Sequence, residues 1–396
     1  MVGYVIGTGS VTTMASAGAS YGMALTWTLV LASLFAHIMF CAVSKMVMVS
    51  GRTMLWNFRL HFGGPVTVLI MLALAGTQIA SVIGVMGIMT DVVKEWSRPF
   101  TPGGAGISRL ASGMAFAGVL LWLFWNGRHR LFLKAVSFLV ALMGISFFAT
   151  SAVQPPPVSS LLRGLVPSIP AVGAPHLLIA GMVGTTLASV CLFARAIVIH
   201  EEAWQPGQIR LAYRDSVVSA VLLLIINAAI MACAAGTLYL QRTPVERAID
   251  MVKTLEPLAG RFAVTMFVVG IVGAGLSSLF PNYILGPWML SDYFGWSRDL
   301  RRAGYRVMVA ATALCSLAVP FFGGSPVRIM IASQALSPLI MPLITLFTWR
   351  LLCKKEFTGA WPNSIWMNVG LATTLLFTLS MLVVAAIGFL NTARGG

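Results

Sequence analysis

Charge is what this sequence has least of. Of its 396 residues only 9% are charged, where soluble domains carry about a quarter. That shortage excludes a chain that meets water on all sides. Acidic residues are scarcest, eleven against 26 Lys and Arg. All eleven fall at the ends of apolar stretches or between them, so none is placed to counter a metal ion or relay a proton at the middle of a membrane. The five cysteines form no CxxC pair and read as reduced, small apolar residues. No stretch is long and polar enough for a soluble domain. No Walker A motif is present, no set of catalytic residues points to an enzyme, and no cofactor is expected. The first apolar stretch lacks a charged flank, so a cleavable signal peptide is not expected.

What is present is apolar: 58% of the chain is hydrophobic, and runs of around 20 residues recur from end to end. Each can cross about 30 Å of hydrocarbon. Eleven spans are expected, at roughly 2–18, 23–46, 65–90, 110–126, 131–153, 176–200, 216–240, 258–288, 305–322, 327–352 and 366–390. Only helices suit this pattern, since open sheets cannot face lipid. The chain therefore reads as an all-α polytopic membrane protein, a single transmembrane domain over 1–396. With the N-terminus in the cytoplasm, fifteen of the 26 basic residues lie in inner connections, ten in outer ones, and Arg195 within a span. This bias favours an inner-membrane protein with N-terminus inside and C-terminus outside. Anionic lipid explains the +15 net charge without a nucleic-acid partner. Oligomeric state is not legible, and a monomer would suffice.

Two stretches break the apolar pattern. The first span contains IGTGS, with Gly7, Thr8, Gly9 and Ser10, followed by Thr12 and Thr13. Span 6 contains GTTLAS, with Gly184, Thr185, Thr186, Ala188 and Ser189. Either stretch alone reads as a small-residue packing face. Together they stand five spans apart, at the first helix of each of two five-helix halves, 1–153 and 176–352, with an extra span at 366–390. An odd number of spans in the first half inverts the second. Interrupted helices at matching positions of inverted halves mark the central site of a secondary transporter. Only six residues precede Gly7, so either the first half-helix is short or the natural start lies upstream.

Several stretches resemble the NRAMP family of proton-coupled divalent-metal transporters. They are AGASYG (17–22) followed by LTW, DSVVSAVLLLIINAAI (215–230) with Asn227, LEPLAGRFAVTMFVVGIVGAGLSS (255–278) and SQALSPLIMP (333–342). The resemblance covers nearly the whole chain. It implies a LeuT-like fold of about eleven helices, an inverted 5+5 repeat and broken helices 1 and 6. It also shows departures. Where the family has DPGN, this chain has Gly7, Thr8, Gly9 and Ser10. Where the family has MPH, it has Ala188, Ser189 and Val190. The third-span TD..E carboxylates, on the family's proton route, correspond to Gln78 and Ser81, and the second histidine of span 6 to Arg195. Of the family's metal-contacting positions, the span-10 glutamine is retained as Gln334. The family's magnesium-transporting branch also replaces the methionine by a small residue, as Ala188 does.

Hydroxyls and backbone groups without formal charge would leave a dry divalent cation uncompensated. Arg195 is the basic residue placed well inside a span, where a charge is functional unless it snorkels to the edge. His37 is expected as a hydrogen-bonded bundle residue. A substrate site is therefore expected at Gly7, Thr8, Gly9, Ser10, Thr185, Thr186, Ala188, Ser189, Arg195 and Gln334, without a resident metal. The favoured substrate is a small anion or polar solute, carried by alternating access without proton coupling. The alternatives are a hydrated divalent cation such as Mg²⁺, and a membrane sensor or scaffold that does not transport.

Overall fold

In the computed structural model of the chain, residues 7–126, 129–171, 173–242, 245–254, 262–296 and 302–394 are described. No strand occurs among them. The first half comprises α1 (Thr8–Tyr21), α2 (Thr26–Ser50), the short α3 (Met54–Phe62), α4 (Gly64–Ser97), α5 (Arg109–Asn126) and α6 (His129–Val153). A short α7 (Val158–Gly164) leads to α8 (Pro175–Thr186) and α9 (Ser189–Glu201), then α10 (Ile209–Ala234) and α11 (Ala263–Phe294). The remainder is α12 (Ala303–Ser316), α13 (Ala318–Phe322), α14 (Pro326–Ala335), α15 (Ser337–Cys353), a single turn α16 (Lys355–Thr358) and α17 (Ile365–Ala393). Each of the eleven expected spans falls on one of these helices or on a consecutive pair. Among the described residues, eight of the spans are long and apolar enough to cross a membrane by length and composition. The 14-residue α1 reaches only about 21 Å at 1.5 Å per residue.

Several helices overrun the expected ends. Helix α4 continues to Ser97, so Asp91 lies within it, 1% exposed, and pairs with Arg109 at the start of α5. Helix α11 continues to Phe294 and takes in Asp292. Its expected start at 258 lies outside the described residues.

The second expected break is present. Helix α8 ends at Thr186, Leu187 and Ala188 leave helical geometry (ψ 59° and 124°), and α9 starts at Ser189. The new helix has first-turn N–H groups with no partner of their own. Ser337 of α15 serves one: its Oγ accepts from the Ser189 N–H at 2.8 Å, and its hydroxyl donates to Ser189 Oγ at 3.1 Å.

The first break differs from the expectation. Gly7 is extended (φ −115°, ψ 178°), but Thr8, Gly9 and Ser10 already form the first turn of α1. Unwinding is not needed to free their amides, because the first N–H groups of any helix lack an intrahelical acceptor. What precedes Gly7 lies outside the described residues.

Helix α1 is buried from Thr8 to Ala19 and packs against α8, α10 and α14. Its small residues make that possible. A Cβ on Gly18 would lie 2.3 Å from the Met231 carbonyl of α10. The packing reading of this stretch holds along α1, while the expected interruption would fall at Gly7 and before, next to residues outside those described.

Candidate functional site

The start of α1 faces the break between α8 and α9. Ser10 Oγ of α1 and Thr185 Oγ1 of α8 are 3.0 Å apart. Beside them lies a cavity of about 70 Å³. Gly7, Gly9 and Ser10 form one wall, and Gly184, Thr185, Ala188, Val190 and Cys191 another. Helix α4 adds Thr77, Gln78, Ser81 and Val85; α11 adds Ser278 and Asn282; Gln334 and Ser337 complete the lining. The two glycines keep room for polar groups. A Cβ on Gly7 would sit 2.3 Å from Ser278 Oγ, and one on Gly9 2.9 Å from Gln334 Nε2.

The chemistry of the lining is uniform. None of these side chains is an Asp, Glu, Lys, Arg or His. Hydroxyls, side-chain amides and the backbone at two helix starts supply the polar atoms. Gln78 Nε2 donates to the Asn282 carbonyl at 2.8 Å and joins α4 to α11.

Of the expected positions, Gly7, Gly9, Ser10, Gln78, Ser81, Thr185, Ala188 and Gln334 line this one space. Four do not. Thr8 is buried on α1 away from it. Thr186 donates its hydroxyl to the Met182 carbonyl, 2.9 Å away in its own helix. Ser189 is held by Ser337.

Arg195 is the main correction. It is 1% exposed, so it does not snorkel, and it does not line the cavity. Its Nε donates to Ser44 Oγ at 2.6 Å and the Phe40 carbonyl at 3.2 Å, both on α2. Its Nη1 meets Asp215 at 2.8 Å, and Nη2 meets the Ala212 carbonyl and Ser216 Oγ at 3.1 and 2.9 Å, all on α10. The guanidinium also lies 5.4 Å from the Phe40 ring centroid. The rigid fork of arginine suits this tie between three helices. Arg195→Ala is expected to lower stability by about 2–4 kcal/mol, since several hydrogen bonds to a charged group go at once. Arg195→Lys should fall between. Thermal unfolding in detergent measures both.

His37 stands one turn from Cys41, with its ring nitrogens 3.8 Å from Sγ, and does not line the cavity. Sequence reasoning missed Ser278, Asn282, Cys191 and Ser337 as lining residues. A signal for α11 existed: Ser277 and Ser278 precede Pro281 and Asn282 in an apolar helix. Pro281 removes a helical N–H there.

The interrupted α8–α9 pair facing the start of α1 across a partly polar cavity, in a helical bundle of this order, defines a LeuT-like membrane transporter and not an enzyme. The model of the natural resistance-associated macrophage protein-like (Nramp) family matches residues 1–388, and the chain belongs to that family. It is similar to the divalent metal cation transporter MntH of Verminephrobacter eiseniae, 28% identical over 379 residues covering 91% of this chain and 81% of the relative. It is also similar to MntH of Klebsiella pneumoniae (strain 342), 26% identical over 387 residues covering 93% and 87%. Its fold is like that of a mutant of the Eremococcus coleocola manganese transporter, with a TM-score of 0.74, 15% identity, and coverage of 98% and 84%. MhsT in complex with L-phenylalanine also shares the fold, with a TM-score of 0.57, 15% identity, and coverage of 98% and 96%.

Proposed function

We propose that this chain carries a hard divalent metal ion, Mg²⁺ or Mn²⁺, across the membrane by alternating access, with part of its water shell retained. The observation that carries this reading is the position of Arg195. The anion reading needed its charge at the site, and that charge is committed to Asp215, α2 and α10. What remains is a set of neutral oxygen donors. A dry divalent ion among them would lack compensation. A hydrated one presents waters that hydroxyls and amides can hydrogen-bond, and Mg²⁺ in particular sheds water reluctantly. A cavity of about 70 Å³ has room for several waters. The names of the MntH relatives point the same way. The positive bias of the inner connections supports an N-terminus in the cytoplasm.

Uptake into proteoliposomes tests the proposal. Saturable Mn²⁺ or Mg²⁺ uptake is expected, with none of sulfate or acetate. Because Cys191 lines the cavity, a small thiol reagent should cut that uptake at least tenfold, excess divalent ion should slow the block, and Cys191→Ala should escape it. Saturable anion uptake without divalent flux would overturn the reading.

A further inference from the structure

The hydroxyls of the central cavity are not equivalent, because several of their hydrogens are already committed. Ser278 of α11 donates to the Ala274 carbonyl at 2.8 Å, and Thr77 of α4 donates to the Ala73 carbonyl at 2.9 Å. A hydroxyl has one hydrogen and two lone pairs. With the hydrogen turned into its own helix, each of these oxygens can only accept. Ser337 donates to Ser189 Oγ and accepts from the Ser189 N–H, so it is taken up by the start of α9.

Of the two acceptors, Ser278 is the one whose direction the backbone of α1 fixes. A Cβ on Gly7 would lie 2.3 Å from Ser278 Oγ but 3.4 Å from Ser278 Cβ, so the oxygen leads towards Gly7. Both residues line the cavity. The oxygen fills the space that a side chain at position 7 would take, and glycine is what leaves it there. The water held by a cation turns its hydrogens outward and needs acceptors. An anion needs donors, and at this wall it would meet a lone pair.

We propose that Ser278 is a specificity-determining residue of the central site: its oxygen accepts a hydrogen from the water shell of a divalent cation, with Thr77 as a second acceptor. Preference for a cation then comes from where the hydroxyl hydrogens point, and not from an acidic side chain, of which the lining has none. Hydrogen bonds relayed through water are nearly as favourable as direct ones. Because the contact is to water, it does not depend on which metal lies at the centre of the shell.

The inference rests on the divalent-ion reading, and the test separates the two. Uptake of Mn²⁺ and of Mg²⁺ is measured with the full chain in proteoliposomes, and thermal unfolding of each variant is measured alongside. Ser278→Ala is expected to raise KM for both ions by the same factor, about fivefold, the worth of one net hydrogen bond, with kcat and Tm near those of wild type. Thr77→Val, which keeps the side chain's shape, should raise KM about as much. Thr312→Val on α12 removes a hydroxyl with the same kind of bond, to the Met308 carbonyl at 3.0 Å, outside the cavity lining, and should leave KM unchanged. Gly7→Ala should lower Tm, and the double variant Gly7→Ala/Ser278→Ala should restore it with KM still raised, since the oxygen is what blocks the added methyl. An unchanged KM in Ser278→Ala overturns the role of Ser278, as does an equal rise in Thr312→Val. Gly7→Ala as stable as wild type would show that the oxygen does not face Gly7. Unequal factors for Mn²⁺ and Mg²⁺ overturn the contact through water. No saturable uptake of either ion by wild type overturns the divalent-ion reading itself.

Discussion

Gly184→Ala is expected to reduce uptake at least tenfold while the protein still reaches the membrane. A Cβ at this position would lie 1.9 Å from the Gln334 carbonyl oxygen, 2.8 Å from its carbon and 3.1 Å from Pro338 Cδ. The nearest obstacle is backbone, so no side-chain rotation relieves it. Helix α8 must move away from α14 and the start of α15. Overpacking of this kind costs about 1–3 kcal/mol, which a bundle of this size can absorb. The site cannot absorb the shift so easily, because Thr185 and Gln334 line the cavity from the two sides being pushed apart. Initial uptake rates normalised to reconstituted protein measure the effect. Gly118→Ala is the control, since a Cβ there meets nothing within 4 Å. Equal rates for Gly184→Ala and wild type would show that α8 and α14 need not touch for transport.

The same contact shows what the sequence could reveal. Eleven apolar stretches gave the helices, because length and hydropathy follow directly from the thickness of a bilayer. Two clusters of Gly, Ser and Thr pointed to the start of α1 and to the break between α8 and α9, because small and hydroxyl residues stand out against an apolar background. Positions on those clusters converged on one cavity, as did Gln78, Ser81 and Gln334. The contribution of α11 was less visible. Which face of a long apolar helix turns inward depends on its neighbours, and Ser278 and Asn282 became lining residues only when α4 and α1 were packed against them. Arg195 was misplaced for the same reason. A charge inside a span signals a partner, but the partner was Asp215, 20 residues away in the next span. Sequence alone could not choose between a solute and a carboxylate at the end of a neighbouring helix. Short α3 between two spans was also unread, although it places Thr53 and Leu55 on Asp292.

Uptake of a divalent ion is expected to proceed without stoichiometric movement of protons. A proton relay needs groups that gain and lose a proton near neutrality, in sequence along the route. Gln78 and Ser81 line the cavity where a relay would pass, and neither side chain titrates. Gln78 is further fixed by its bond to the Asn282 carbonyl. His37 lies off the cavity beside Cys41, and His200 does not line it either. Protons are also not required as a driving force. Moving two charges through 100 mV releases about 4.6 kcal/mol, roughly three powers of ten in concentration at about 1.4 kcal/mol per decade. An inside-negative potential therefore suffices to accumulate the ion. The measurement is internal pH, read with a trapped dye in proteoliposomes held at set potentials by potassium and valinomycin. Uptake should rise with the potential while internal pH follows that of protein-free liposomes. One proton entering per metal ion, at zero potential and in both His37→Ala and His200→Ala, would mean that another residue carries it. Loss of that proton flux in one of the two variants would assign the relay to that histidine.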